Sequence, residues 1–384
     1  MELQSYRPED LFEWVSEAGH DFTLLDVRNN EEFGRFKVEG PYLSKMVNIP
    51  YIEFIEKEDE SVAKVQIPKE ESIRIVCAKE GSAKYVGEIL VNHGWKDVQF
   101  LEKGIKTWGN LLAAKLVASE NGYRLYQFIR PGKASCSYGL IYEDEMAVFD
   151  PSRNAQFYHD FAQKHGAVIT KTFETHLQAD YISGSQIISS DTGALIMGHI
   201  NDFKDAAFDY QSVSDQNVYT FSKGGPAIKA LHTPGHTPGS TSYLVDDKYL
   251  ITGDTVFIFS IGRPDLGGKA EEWSKLLFKT LKTKLDTLQD DLLVLPGHYI
   301  EWSEVNPKMV FADTLGSIKT KNADIYGIGD EDAFVQFIKT NMRMQPEVYA
   351  KIRKVNAGLL NVDEEEQEIM DLGKNECAAS MQGE

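Results

Sequence analysis

The sequence has little cysteine: Cys77, Cys136 and Cys377 are the three in 384 residues. They lie far apart and are odd in number, and the N-terminus MELQSYRPED has neither the basic nor the apolar region of a signal peptide. A disulfide framework is therefore not expected, and reduced thiols in the cytoplasm are. No apolar run approaches the roughly 20 residues that a membrane-spanning helix needs, so no membrane partner is expected. Positive charge is also scarce. The net charge is -19 with a pI near 5.0, and no dense Lys/Arg run is present. Such a chain repels a phosphate backbone, which argues against a nucleic-acid partner. Repeats, low-complexity tracts and coiled-coil heptads are missing too. The acidic run from Asp363 to Glu368 reads as a solvated surface.

What is present suits two cores, since 42% hydrophobic content over this length buries ample apolar surface. In the first part, FTLLDVR and SIRIVCA read as buried strands. A helical pattern follows with Tyr85, Val86, Ile89 and Leu90 on one face, closed by His93-Gly94, and VQFLEKG supplies a further strand. Strands alternating with helices imply a parallel sheet covered on both faces, an α/β domain over residues 1–118. The polar stretch ASENG, from Ala118 to Gly122, is expected to be the linker. Beyond it, YRLYQFI, SYGLIYEDEMAVFDPS, AVITKTFETH, ALIMG, AIKALHTPGH, STSYLVDDKYLITGD and DLLVLPGHY read as short strands, several ending in a polar or histidine-bearing loop. Between Glu271 and Gln289, Trp273, Leu276, Leu277, Leu281, Leu285 and Leu288 have the spacing of one buried helical stripe. Sheets with outer helices and chemistry at strand ends predict an αββα sandwich over 119–310. Residues 311–384 read as an extension of mixed helix and loop.

Cys77 stands where IRIV ends and the next helix begins. Backbone amides of the connecting turn, which holds Gly81 and Ser82, can converge on its sulfur there, and the helix dipole favours a thiolate. Lys79 would add to that effect and Glu80 would oppose it. By itself a cysteine after a buried strand is most often an inert small hydrophobe. The wider pattern LLDVRNNEEFGRFKVEG, VNIP, IVCAKEGSAK and GWKDVQFLEKGIKTWG resembles the rhodanese sulfurtransferase domain in order and spacing. That resemblance implies that Cys77 carries a transferable sulfur as a persulfide in a cradle of the Ala78 to Ser82 amides. It also implies that Asp26 and Arg28 fix the fold. The loop CAKEGS lacks the arginine that many such domains have, which leaves the sulfur acceptor open.

The second half holds THLQADY, TPGHTPGS, LITGD and LPGHY. The first reads as a metal loop of pattern THxHxDH in which Gln178 and Tyr181 replace two histidines. Together, in this order, the four segments resemble the metallo-β-lactamase fold. In its binuclear hydrolases both replaced positions bind metal, so a second ion would be short of donors here. Persulfide dioxygenases of the same fold use one iron, and the resemblance places that ion on His176, His236 and Asp254. Two imidazoles and a carboxylate suit a single non-haem iron with open positions. Gln178, Asp180, Tyr181 and His298 are expected behind these ligands, orienting them or bound water. Arg263, in SIGRPDLGG, is expected either beside an anionic substrate or in a structural salt bridge. His232 reads as a packing residue, His199 has no motif around it, Cys136 lies on an expected core strand, and Cys377 sits in a tail that could visit the metal pocket.

The resemblances together imply a persulfide dioxygenase–rhodanese fusion that takes a low-molecular-weight thiol persulfide and O2, with one Fe(II) per chain. Fusion would raise the effective concentration of the shared sulfur. Two other readings stay open: a glyoxalase II-like thioester hydrolase with zinc-activated water, and a sulfur-relay protein whose metal site has decayed to scaffold. Relatives of the fold often pair, so a homodimer is an expectation.

Overall fold

A computed structural model describes residues 3–379. They form two compact units. One holds the residues up to Ala113 with Arg130–Lys133 and Leu372–Lys374, and the other holds Ala114–Ile129, Ala134–Asp371 and the segment from Asn375. Among the described residues no helix is long and apolar enough to cross a membrane.

The first unit is built on a parallel sheet of β1 (Gln4–Tyr6), β2 (Thr23–Asp26), β3 (Met46–Asn48), β4 (Ile73–Val76) and β5 (Val98–Leu101), in the order β1-β5-β4-β2-β3. The central strands β2 and β4 are buried along almost their whole length, as both-face covering requires. After β4 the helix Glu80–Asn92 buries Ala83, Val86, Ile89 and Leu90 against the core, whereas Tyr85, expected on that face, is exposed. Asp26 and Arg28 form a buried bidentate pair, with Nε 3.0 Å from Oδ1 and Nη2 2.6 Å from Oδ2, and Nη2 also donates to the Phe36 carbonyl. A buried pair with these added bonds fixes the loops around β2.

The second unit contains two sheets. One has seven strands: β6 (Ala113–Glu120), β7 (Tyr123–Arg130), β8 (Ser135–Tyr142), β9 (Glu145–Phe149), β10 (Val168–Phe173), β11 (Leu195–His199) and β12 (Gln211–Val213), each beside the next. The other has six: β13 (Val218–Phe221), β14 (Gly224–His232), β15 (Thr241–Val245), β16 (Tyr249–Gly253), β17 (Leu293–Pro296) and β18 (Asp313–Thr314). Aromatic rings lock the sheets face to face: Tyr243 of β15 lies 5.6 Å from Phe149 and 5.0 Å from Phe173, centroid to centroid.

Two expectations about elements change. The stretch ASENG is no loose linker, because β6 turns directly into β7 through Asn121-Gly122, both at positive φ, as a tight hairpin demands. The helix expected to Gln289 ends at Thr283 and gives way to a 3-10 turn over Leu285–Thr287, with Leu277, Leu281 and Leu285 buried. Residues 315–370 add five helices that pack within this unit, among them Val348–Asn356.

Candidate metal centre and sulfur site

Every histidine-bearing motif of the second unit falls at a strand end: His176 after β10, His236 after β14, Asp254 after β16 and His298 after β17. Two glycines let these loops close in. Gly253 has φ +52, and a Cβ there would meet Thr175 Oγ1 at 2.1 Å. At Gly262 a Cβ would stand 1.7 Å from the Asp254 carbonyl oxygen and 3.0 Å from His236 Nδ1.

His176, His236 and Asp254 are brought together and buried, and their ligating atoms lie within 4.8 Å of one another. Asp254 Oδ2 is 3.8 Å from His176 Nε2 and 3.6 Å from His236 Nε2. Hydrogen bonds behind the rings fix which nitrogen faces this point. The Thr175 hydroxyl donates to Asp150 Oδ2 at 2.8 Å, so it accepts from His176 Nδ1 at 2.9 Å, and the His176 Nε2 lone pair is left bare. The Arg263 carbonyl accepts from His236 Nδ1 at 2.9 Å and does the same for that ring. On Asp254, Oδ1 accepts from His298 Nδ1 at 2.7 Å. His176 Nε2 and Asp254 Oδ2 are buried without a hydrogen-bond partner. Orphaned polar atoms of this kind cost roughly 1–3 kcal/mol each, and a shared cation offsets that cost. The residues fit one metal ion.

Electrostatics agree. Burial lowers the His176 imidazolium pKa to about 3, which keeps the ring a neutral donor. For Asp254, burial pushes upward but is outweighed by His298, His176 and His236, which hold it below the usual carboxylate range. His298 is raised to about 10: burial opposes its cation, and Asp180 and Asp254 on either side outweigh that. It therefore bridges the two carboxylates, with Nε2 2.9 Å from Asp180 Oδ2.

The two substituted positions differ. Tyr181 turns its hydroxyl away to the Asp150 carbonyl, 3.3 Å, where it fills core and touches no ligand. Gln178 remains behind His176, with Nε2 3.5 Å from Nδ1 and a buried Oε1 that has no hydrogen-bond partner.

Of the two places expected for Arg263, beside a substrate or in a structural salt bridge, the structure shows the salt bridge. Asp265 clamps its guanidinium at 2.7 and 2.5 Å, and Nη2 also donates to the Arg343 carbonyl. The fork that would have bound a substrate anion is used up, so Arg263 serves the site through its main-chain carbonyl on His236. Cys377 is not in a loose tail. It is buried, its carbonyl accepts from Arg263 N at 2.8 Å, and Ala379 N donates to the Ile261 carbonyl at 2.8 Å.

Several residues that organise the centre carry no motif. Asn356 donates from Nδ2 to the carbonyls of Gln178 and Tyr181 at 2.9 and 2.8 Å, and accepts from Ser183 N at 2.9 Å. Asp202 joins both histidine loops by accepting from Leu177 N, Gly239 N and Thr237 Oγ1 at 3.0, 2.7 and 2.6 Å. No sequence signal marks either residue, because each acts from a helix far along the chain. A cavity of about 270 Å³ leads to His236, with Leu177, Leu266, Trp273 and Arg353 among its walls. His199 and His232 stack on each other at 4.0 Å, outside that ligand set.

In the first unit, Cys77 lies between β4 and the helix from Glu80 and is only 2% exposed. Burial raises its thiol pKa, and bonds from the Lys79 and Ala78 amides and the Ser82 side chain reduce the rise without cancelling it. The cradle of donors is present, and burial opposes the charge that it would favour. Glu80, expected to oppose a thiolate, accepts from Lys103 N at 2.8 Å. Cys136 is buried on β8.

Comparison with known proteins agrees with this geometry. Residues 8–111 match the rhodanese-like domain and residues 131–298 the metallo-beta-lactamase superfamily. Over 199 residues the chain is 27% identical to a hydroxyacylglutathione hydrolase of Rhizobium etli, covering 52% of this chain and 74% of that protein. Over 179 residues it is 30% identical to a probable metallo-hydrolase, YqgX, of Bacillus subtilis, covering 42% and 83%. A solved metallo-beta-lactamase structure from Staphylococcus aureus is similar at 27% identity and a TM-score of 0.56, covering 64% of this chain and 75% of that one. ETHE1 from Myxococcus xanthus shares the fold at 23% identity and a TM-score of 0.53, covering 62% and 99%. With a strand-end metal centre in one unit and a cradled cysteine in the other, the chain belongs to the metallo-beta-lactamase superfamily and carries a rhodanese-like domain ahead of its lactamase-fold domain.

Proposed function

We propose that the chain is a persulfide dioxygenase fused to a sulfurtransferase, acting on a low-molecular-weight thiol persulfide and O2. The observation that carries this reading is a complete His176, His236 and Asp254 donor set beside a metal loop that has lost both other histidines. When bound, a single iron would supply oxygen activation next to an anionic sulfur, since two imidazoles and a carboxylate leave coordination positions open. The protein's part is orientation. Thr175 and the Arg263 carbonyl hold the imidazoles in one tautomer, His298 turns Asp254, and the apolar walls Leu177, Leu266 and Trp273 exclude water from the approach. Cys77 would take up sulfane sulfur as a persulfide, with the Ala78, Lys79 and Ser82 groups receiving the charge that develops on sulfur.

The hydroxyacylglutathione hydrolase relative favours a second reading, thioester hydrolysis with a metal-activated water. Anaerobic purification and elemental analysis separate the two. About one iron per chain with persulfide-dependent oxygen uptake is the expected result, and zinc with thioester turnover would favour the hydrolase. No metal at all would leave only a sulfur relay through Cys77. Oxygen uptake unchanged by His236→Ala would remove the triad from the mechanism.

A further inference from the structure

Loss of the two loop histidines leaves the second half of the centre with Asp180 and His298 alone as motif residues. The structure brings a third donor to them from the far end of the chain. Cys377 Sγ, one Asp180 carboxylate oxygen and one His298 ring nitrogen lie within 4.8 Å of one another, and all three residues are about 1% exposed. His298 Nδ1 is engaged by Asp254, so Nε2 is the nitrogen on offer. That atom faces Asp180 Oδ2 at 2.9 Å as an ion pair, a contact that a cation held between the two would replace.

The tail that delivers the sulfur is a built element. Glu376 N donates to the Tyr349 hydroxyl at 3.0 Å, Cys377 N to Asn375 Oδ1 at 3.2 Å, and Ala379 N to the Ile261 carbonyl at 2.8 Å. Arg343 Nη2 caps the Ala378 carbonyl at 2.6 Å. Around it, Ala179, Ile182, Phe257, Tyr349 and Ile352 form one apolar cluster with Cys377. Arg263 joins the two donor sets through a single residue: its carbonyl holds His236, and its amide holds the Cys377 carbonyl.

We propose that Asp180, His298 and Cys377 form a second metal site, in which the tail thiolate replaces the donors lost at Gln178 and Tyr181. One thiolate, one imidazole and one carboxylate select a zinc-type divalent ion over magnesium or calcium. Three protein ligands leave a fourth position open, and binding displaces the protons on the thiol and on Nε2. This site goes beyond the dioxygenase reading and does not depend on which ion His176, His236 and Asp254 hold.

The test is titration of the full-length, chelator-stripped chain with Co(II). About two equivalents are expected per chain, one of them with a sulfur-to-cobalt charge-transfer band in the near ultraviolet. Cys377→Ser is expected to lose the band and one equivalent, whereas His176→Ala keeps the band. Zinc is expected to protect Cys377 of the unmutated chain from alkylation, read by peptide mass spectrometry, which needs no variant to fold. Binding of a single equivalent without the band, a band that survives Cys377→Ser, or alkylation of Cys377 unaffected by zinc would overturn the site. Iron content and oxygen uptake report separately on the other donor set, so failure of one proposal is not failure of the other.

Discussion

The cysteine loop of the first unit and the candidate metal centre of the second are assembled in opposite ways. At Cys77 one loop of consecutive residues does everything: sulfur, amides and Ser82 lie within six positions, and burial raises the thiol pKa. At the metal centre no single loop suffices. Donors come from the ends of β10, β14, β16 and β17, and the groups behind them come from Asp150, Asp202, Arg263 and Asn356. A local site tolerates change elsewhere in the fold, whereas a distributed one depends on contacts spread over some 200 positions.

Substitutions can break that contrast. The largest effect is expected from Cys77→Ala, which should abolish sulfur transfer from thiosulfate or a persulfide while metal content stays the same; undiminished transfer would show that another cysteine carries the sulfur. Next, His236→Ala should cut persulfide-dependent oxygen uptake by more than about a hundredfold and leave sulfur transfer intact. A parallel fall in both would mean that the two sites are not separable. Thr175→Val removes the hydroxyl that fixes the His176 tautomer and should weaken metal binding by about 10–100-fold, measured by competition with a chelator. An unchanged affinity would show that Asp150 and Thr175 merely pack there. The smallest effect is kinetic. Because burial raises the Cys77 thiol pKa, its alkylation should be slower than that of a free cysteine at neutral pH, and its rate should still be climbing where a free cysteine has levelled off. A rate that is flat from neutral pH upward would identify a resting thiolate instead.

The same contrast explains what the sequence made legible. Cys77, its loop and the following helix could be read directly, since strand, turn and helix are adjacent. His176, His236, Asp254 and His298 were readable because strand ends carry them inside short motifs. Asn356 and Asp202 were not: each reaches the centre from a helix whose docking depends on tertiary packing, and nothing in HINDF marks a polar group bound for a metal loop. Cys377 could be flagged as a tail thiol able to visit the pocket, but its burial and its backbone ties come only with folding. Arg263 sits in a motif, but only folding shows that Asp265, two residues on, claims its guanidinium. Periodicity alone also overran the helix ending at Thr283, because leucines of the following 3-10 turn continue the same apolar stripe.

The hairpin at Asn121-Gly122 has a practical consequence. A truncation starting at residue 119 to obtain the lactamase-fold part alone would discard most of β6 and leave β7 as a bare, hydrophobic sheet margin, an invitation to self-association. Starting instead near Leu112 keeps that strand whole, and any separation of the two units should be made there.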